Sequence, residues 1–329
     1  MAIISTRDNT ASAQCITNVL SSEYRPTETA FVGYTLTLRS KIAVNFYMTL
    51  SKEFKNSENA YIKFSVNGST VTLNVDQARI VKGDGVEYHV FTVPVSSHEM
   101  VCQIVAEAYL DGQKVAENSR SVRDYAMYII NNPDDYESED VAFAKALLNY
   151  GAASQIYFDV MTDDLANKEL DENDRQITQL TPDMLEKYKL TESGSGEIGT
   201  FTGSNLCLDS TTSLRAYFEP AEGVDVDKIT FTVTVGGVRK DVNATLTANG
   251  YQIAYDDLMA YQLGDNVTFT AASGDQSVSF TCSAMTYAYN VISRVDAEGD
   301  EPLYTDELKT LMSALYDYME ASRTYGGTN

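Results

Sequence analysis

The chain has no tryptophan, only two histidines, and four cysteines in 329 residues. Each scarcity removes a class of chemistry. Without tryptophan, stacking on flat ligands falls to other aromatic rings. Only His89 and His98 supply imidazole. His89 sits between Tyr88 and Val90, and His98 sits in "SSHEM" beside Ser96 and Ser97. Neighbours in sequence point in different directions, so neither reads as a nucleophile pair. The motif G-x-S-x-G is absent. So are the phosphate cradles G-x-x-x-x-G-K-[ST] and G-x-G-x-x-G. Cys15, Cys102, Cys207 and Cys282 form no C-x-x-C, which argues against a zinc site. Basic residues are few, 24 against 47 acidic, giving a net charge of −23. Such a surface repels nucleic acid and anionic membrane, because phosphate binding requires clustered Lys and Arg. No apolar run approaches the roughly 20 residues of a membrane span, so no membrane insertion is expected.

What remains is an ordinary globular composition of 43% apolar and 22% charged residues, with 22 tyrosines and 12 phenylalanines. The length suits two domains, each able to bury its own core.

The chain repeats itself. "LLNYGAASQIYF" (147–158) and "LYDYMEASRTYG" (315–326) share Tyr, Ala-Ser and Tyr: Tyr150, Ala153, Ser154 and Tyr157 against Tyr318, Ala321, Ser322 and Tyr325. Earlier stretches register in the same order. Leu36, Leu38, Val44 and Tyr47 match Leu206, Leu208, Leu214 and Tyr217. Phe64 and Val66 before Asn67-Gly68 match Val233 and Val235 before Gly236-Gly237. Gly112 matches Gly274, and Ser121, Tyr125, Ala126 and Ile130 match Ser283, Tyr287, Ala288 and Ile292. A period this long points to duplicated domains and not to a solenoid.

Within one copy the periodicity changes. Residues 31–120 alternate with period two and are rich in Val, Thr, Tyr and Phe, which predicts six to eight strands in an antiparallel sandwich. Asn-Gly and Gly-Gly tolerate the positive φ of tight hairpins. Then Val122, Tyr125, Ala126, Ile129 and Ile130 form a helical stripe that Pro133 stops. Ser138 is placed to cap a second helix, whose buried stripe is predicted as Phe143, Leu147, Tyr150, Ser154 and Tyr157. In the second copy Thr305 caps a stripe of Leu308, Leu311, Leu315, Tyr318, Ser322 and Tyr325. The expected fold is therefore mainly β with α: two tandem homologous modules, each an antiparallel β-sandwich followed by a helical hairpin.

The expected boundaries are a lead segment 1–30, a first module 31–160, a linker with a short helix 161–200, and a second module 201–329. Thr181 and Pro182 open that short helix, and "TESGSGEIG" (191–199) reads as a joint. The start "MAIISTRDNT" has neither a basic n-region nor a long apolar h-region. In a secreted protein it is expected to be a mature fragment with an added start Met.

Several phrases carry a resemblance. "GYTLTLRSKIAVNFYMTL", "VSSHEM", "SVRDYAMYI", "ALLNYGAASQIYF" and "DDLAN" resemble a repeat module of large secreted or surface-anchored proteins of anaerobic Gram-positive gut bacteria. Its phrases run roughly G-Y-S-L-S-L, V-N-F-Y-M, D-Y-A and L-N-Y-G-A-x-x-Q-x-Y-F, and the match covers about 33–167. The chain departs from it at "LRSKIAV", where glycine is usual. The resemblance implies an extracellular or cell-surface setting beside carbohydrate-binding, dockerin or immunoglobulin-like modules of one parent protein. It implies no activity for the module itself.

The remaining candidates are weighed by chemistry. Acidic neighbours such as Asp134-Asp135 and Asp163-Asp164 are what a carboxylate-dependent glycoside hydrolase would use, yet pairs are expected among so many carboxylates. "DENDRQ" (171–176) offers Asp171, Asn173 and Asp174 without the glycine and terminal glutamate of a calcium loop. No metal and no cofactor are expected. Cys207 and Cys282 fall on the first and last strands of the second copy, where a disulfide is geometrically open. Tyr61, Tyr88, Tyr109, Tyr251 and Tyr255 lie outside the helical stripes and are the candidates for stacking on sugar. The expectation is a non-catalytic module that binds polysaccharide or a host or cell-wall glycan, or mediates adhesion. A structural spacer in a multi-domain surface protein is the alternative, and the hydrolase is the second alternative.

Overall fold

The structure is a computed structural model that describes residues 4–5, 27–38, 41–83, 85–190, 194–208, 211–295 and 302–326. Cys15 and most of the 1–30 segment lie outside the described residues, as do 191–193 of the expected joint. The chain divides into two compact units, Met1–Gln176 with Thr324–Asn329, and Ile177–Arg323.

The first unit holds β1 (Ile4–Ser5), β2 (Ala30–Leu38), β3 (Ile42–Thr49), the short helix α1 (Lys52–Asn56), β4 (Ala60–Val66), β5 (Ser69–Asn74), β6 (Arg79–Gly83), β7 (Val86–Val95), β8 (Ile104–Leu110) and β9 (Gln113–Arg120). One sheet runs β1-β2-β3-β7-β6 and the other β5-β4-β8-β9. Every pairing is antiparallel except β1 on β2. The turn between β4 and β5 is Asn67-Gly68, with φ of 45° and 79°, the left-handed pair that a two-residue hairpin needs. The two sheets meet through aromatic rings. Phe46 of β3 lies 5.5 Å from Phe64 of β4, and Phe64 lies 6.0 Å from Phe91 of β7. All three are fully buried, each worth about 1.5–3 kcal/mol of apolar transfer.

Helix α2 (Val122–Asn131) starts at a reciprocal cap: Ser121 Oγ accepts from Asp124 N, and Asp124 Oδ2 accepts from Ser121 N. It packs on α3 (Ser138–Phe158). Ser138 is the first residue of α3, not its cap. Glu137 holds the cap position and its N–H is accepted by Asp140 Oδ2. Tyr157, which the predicted stripe counts as buried, is 38% exposed, and Ile156 and Phe158 are exposed with it, because the helix runs past the core at its last turn. Burial also spreads beyond one stripe, over Asn149, Gly151, Ala152 and Gln155. The reason is the segment after the helix. Ala166 N donates to Gln155 Oε1, Gln155 Nε2 donates to the carbonyls of Met161 and Asp164, and Asn149 Nδ2 donates to the carbonyl of Asp174. Residues 161–176 are thus tied onto α3, where a solvated linker was expected.

The second unit holds α4 (Pro182–Leu185), β10 (Ser195–Gly196), β11 (Gly199–Leu208), β12 (Thr212–Pro220), β13 (Thr230–Val235), β14 (Val238–Val242), β15 (Ala244–Thr247), β16 (Gly250–Tyr255), β17 (Val267–Ser273), β18 (Gln276–Cys282), α5 (Ala284–Ser293) and, as far as Arg323, α6 (Asp306–Gly326). Its sheets run β10-β11-β12-β16-β15 and β14-β13-β17-β18, all antiparallel. Phe201 and Phe280 stack across them at 5.7 Å, and Phe218 meets Phe231 at 5.6 Å. Ser283 and Thr286 cap α5 reciprocally, and Thr305 Oγ1 accepts from Leu308 N at the start of α6.

Cys207 and Cys282 are free thiols. Alternation along the strands explains why the bridge does not form. Leu206 pairs with the buried Leu214 on the inner face, so Cys207, opposite Ser213, is turned to the outer face. Cys282 is buried on the inner side of β18, where Ser204 is its hydrogen-bond partner.

Candidate functional site

The five candidate tyrosines have different fates. Tyr88 is 0% exposed and belongs to an apolar cluster with Tyr47, Val81 and Val90, which removes it from any ligand surface. Tyr251 and Tyr255 pair with Phe218 and Leu214 on the inward face of β16 and are half-buried. Lys240 Nζ stands 5.6 Å from the Tyr255 ring and is held there by an ion pair with Asp257 at 2.8 Å. Burial raises the Tyr255 phenol above its usual range.

Tyr61 and Tyr109 come together. They are directly opposite in the β4–β8 register, and their rings stack with centroids 5.1 Å apart and planes 13° apart. Both are half-buried. They stand on the outer face of the second sheet because Ile62, Phe64, Ala106 and Ala108 occupy the inner one. The same face continues with Lys63 and Glu107, paired at 3.2 Å, and Lys114 reaches Glu107 at 3.2 Å. Hydrogen bonds from Lys114 and then Lys63 hold the Glu107 carboxyl below the ordinary range. Asn59 Nδ2 donates to Asp111 Oδ1 at 3.2 Å near the strand ends. The aromatic pair and the charged row are therefore fixed by the protein's own contacts. Two flat rings beside amide, ammonium and carboxylate groups offer both interactions that a sugar uses: C–H contact with a ring face, and hydrogen bonds at its hydroxyls.

The other candidates are placed as follows. His89 is 4% exposed, and burial lowers its pKa from the usual imidazole value. The His98 ring packs 5.1 Å from Phe158. Asp134 and Asp135 lie in a single turn of 3₁₀ helix, Pro133–Asp135. Asp164 is clamped by both Arg123 Nη atoms and by Lys168 at 2.7 Å, and these hydrogen bonds pull its pKa down to about 2. Asp174 pairs with Lys145 at 2.9 Å.

Two residues escaped the sequence reading. Asn118 and Arg120 occupy inward-facing positions of β9, opposite Ala106 and Ile104. A polar residue where alternation calls for an apolar one was the available signal, in "VAENSR". No family model matches the chain, and no curated protein matches it.

Proposed function

We propose that the chain is a non-catalytic extracellular module of a bacterial surface or secreted protein and that it binds carbohydrate through the Tyr61–Tyr109 face. The observation that carries the reading is the cross-strand ring stack, half-buried on the outside of a sheet and bordered by preset polar groups. Core tyrosines do not need that position. At the corresponding place the second unit has Thr230 opposite Ala272, so an aromatic pair is no requirement of the sandwich.

The proposal includes the duplication. It is supported by matching strand orders in the two units. Bulges at Phe31/Gly33 and Phe201/Gly203 and reciprocal caps at Ser121 and Ser283 fall at the register offsets that the repeated phrases require. Each copy is then a sandwich closed by a helical hairpin, set among other modules of a parent surface protein. Glycan from a plant polysaccharide, a host surface or a cell wall is the proposed ligand.

Affinity electrophoresis and a glycan array test this on the full chain. Retardation by at least one polysaccharide is expected. Tyr61→Ala and Tyr109→Ala should each weaken it about three- to ten-fold, the worth of one aromatic contact. Absence of retardation and of array signal across plant and host glycans would leave a spacer role in its place. Release of reducing sugar by the chain would bring back the hydrolase.

A further inference from the structure

Asparagine is followed by glycine at two places in the chain, Asn67-Gly68 and Asn249-Gly250. Glycine has no Cβ, so no side chain shields its backbone nitrogen from the asparagine amide before it. Both steps stand at hairpin turns, and the two turns hold them differently.

Asn67 and Gly68 are the two loop residues between β4 and β5, whose ladder closes with Val66 opposite Ser69. Gly68 therefore lies outside the ladder, and its N–H is not one of the ladder's donors. Both residues are exposed, at φ of 45° and 79°. The space beside Gly68 is open: a Cβ placed on it would meet no atom within 4 Å.

Asn249 is also exposed, but Gly250 closes the β15–β16 ladder opposite Thr247. The Gly250 nitrogen thus belongs to paired backbone. Its Cα is pressed against β12, where an added Cβ would lie 2.9 Å from the Phe218 carbonyl oxygen. Thr247 Oγ1 accepts from Asn249 N at 3.2 Å and donates to the Gly250 carbonyl at 2.8 Å, which ties down both sides of the step.

The Asn67 side chain is tethered. Its Nδ2 donates to Glu99 Oε1 at 2.9 Å. Glu99 ends the 3₁₀ turn Ser97–Glu99, whose Ser97 bonds Ser154 of α3. The hairpin itself does not require asparagine. Gly236-Gly237 makes the turn between β13 and β14, with φ of 57° and 79°.

We propose that Asn67 is a site of spontaneous covalent modification, converting to aspartate and isoaspartate in the folded chain, with Glu99 as the brake. The Gly68 nitrogen attacks Asn67 Cγ, and the new C–N bond forms as the Cγ–Nδ2 bond breaks. Ammonia leaves, carrying the Gly68 amide proton. Water then opens the five-membered imide at either carbonyl, which yields aspartate or isoaspartate. Nothing is oxidised or reduced. Glu99 slows the attack because a carboxylate accepting from Nδ2 leaves Cγ less electrophilic and fixes the side chain in one orientation. After conversion two carboxylates face each other, and repulsion replaces the tether. In isoaspartate the main chain runs through the former side chain, which lengthens a turn built for two residues.

The test incubates the full chain at mildly alkaline pH and follows the peptides containing residues 67 and 249 by mass spectrometry. An isoaspartyl methyltransferase marks the isomer. The same chain in denaturant is the reference, where both steps are expected to convert at similar rates. In the native chain Asn67 is expected to convert about five-fold or more faster than Asn249, the worth of one backbone hydrogen bond. Glu99→Ala should speed Asn67 about three-fold and leave Asn249 unchanged, the worth of one exposed hydrogen bond. Glu99→Gln, which keeps the acceptor, should speed it less. Tyr61 pairs with Asn74 at the opposite end of the β4–β5 ladder, so conversion and glycan binding are read independently. Native Asn249 converting as fast as Asn67, or Asn67 staying intact while the denatured reference converts, overturns the proposal. An unaccelerated Glu99→Ala overturns the role of Glu99.

Discussion

The hydroxyls of Ser97 and Ser154 lie 2.6 Å apart in the core of the first unit. Ser97 opens the 3₁₀ turn after β7, and Ser154 belongs to the repeated phrase on α3. In the second unit the 3₁₀ turn Ala260–Gln262 opens with Ala260, and α6 carries Ser322, buried at 1% exposure with its Oγ unpartnered.

The two serines should therefore respond oppositely to the same change. Ser154→Ala removes the buried hydrogen bond between the two hydroxyls, at a cost of about 1 kcal/mol. Ser322→Ala removes an unsatisfied hydroxyl and should be neutral or stabilising. Denaturant unfolding of both variants measures the difference. A loss in Ser322→Ala as large as in Ser154→Ala would show that Ser322 has a partner.

Asn45 gives a second comparison. Its Nδ2 donates to Thr35 Oγ1 and Thr37 Oγ1 at 3.0 and 2.9 Å, and its Oδ1 accepts from Thr92 Oγ1 at 2.8 Å. Asn45 and Thr35 are almost wholly buried. Asn45→Ala leaves several hydroxyls without partners and should cost about 2–3 kcal/mol in the same unfolding assay. A change below 0.5 kcal/mol would mean that the threonines re-pair with backbone.

Acid stability should report the Arg123–Asp164 clamp. The folded pKa of Asp164 is depressed to about 2 from 3.8. A depressed carboxyl stabilises above its unfolded pKa and loses that stabilisation as pH falls through the folded one. The window is therefore about pH 4 down to about 2. Asp164 is 42% exposed, so solvent screening reduces the effect to on the order of 1 kcal/mol. Asp164→Asn should flatten that limb of the stability curve; an unchanged slope would remove the clamp from the account.

The thiols should differ in reactivity. Burial pushes Cys282 up to about 12, which leaves almost no thiolate near neutral pH. Peptide mapping after brief alkylation of the native protein should find Cys282 unmodified and unfolded protein fully labelled. Rapid native labelling would show that β18 opens locally.

Much of this architecture is legible in the residues. Alternation placed the strands, Asn67-Gly68 and Gly236-Gly237 placed two hairpins, Pro133 stopped α2, and Thr305 and Thr181 marked helix starts, because each of these is a local backbone rule. The tyrosines were not sorted that way. In "EYHVF", polar and apolar residues do not separate by parity, so nothing local says that Tyr88 faces a buried cluster while Tyr61 faces outward. That depends on which strands lie beside it and what covers the sheet.

By itself, the sequence determined element types and their order, since propensity, periodicity and caps act over a few residues. Only the tertiary structure decided that Tyr61 meets Tyr109 and that residues 161–176 fold back on α3. Those contacts join positions far apart along the chain, and pairing register with side-chain packing is what brings them together.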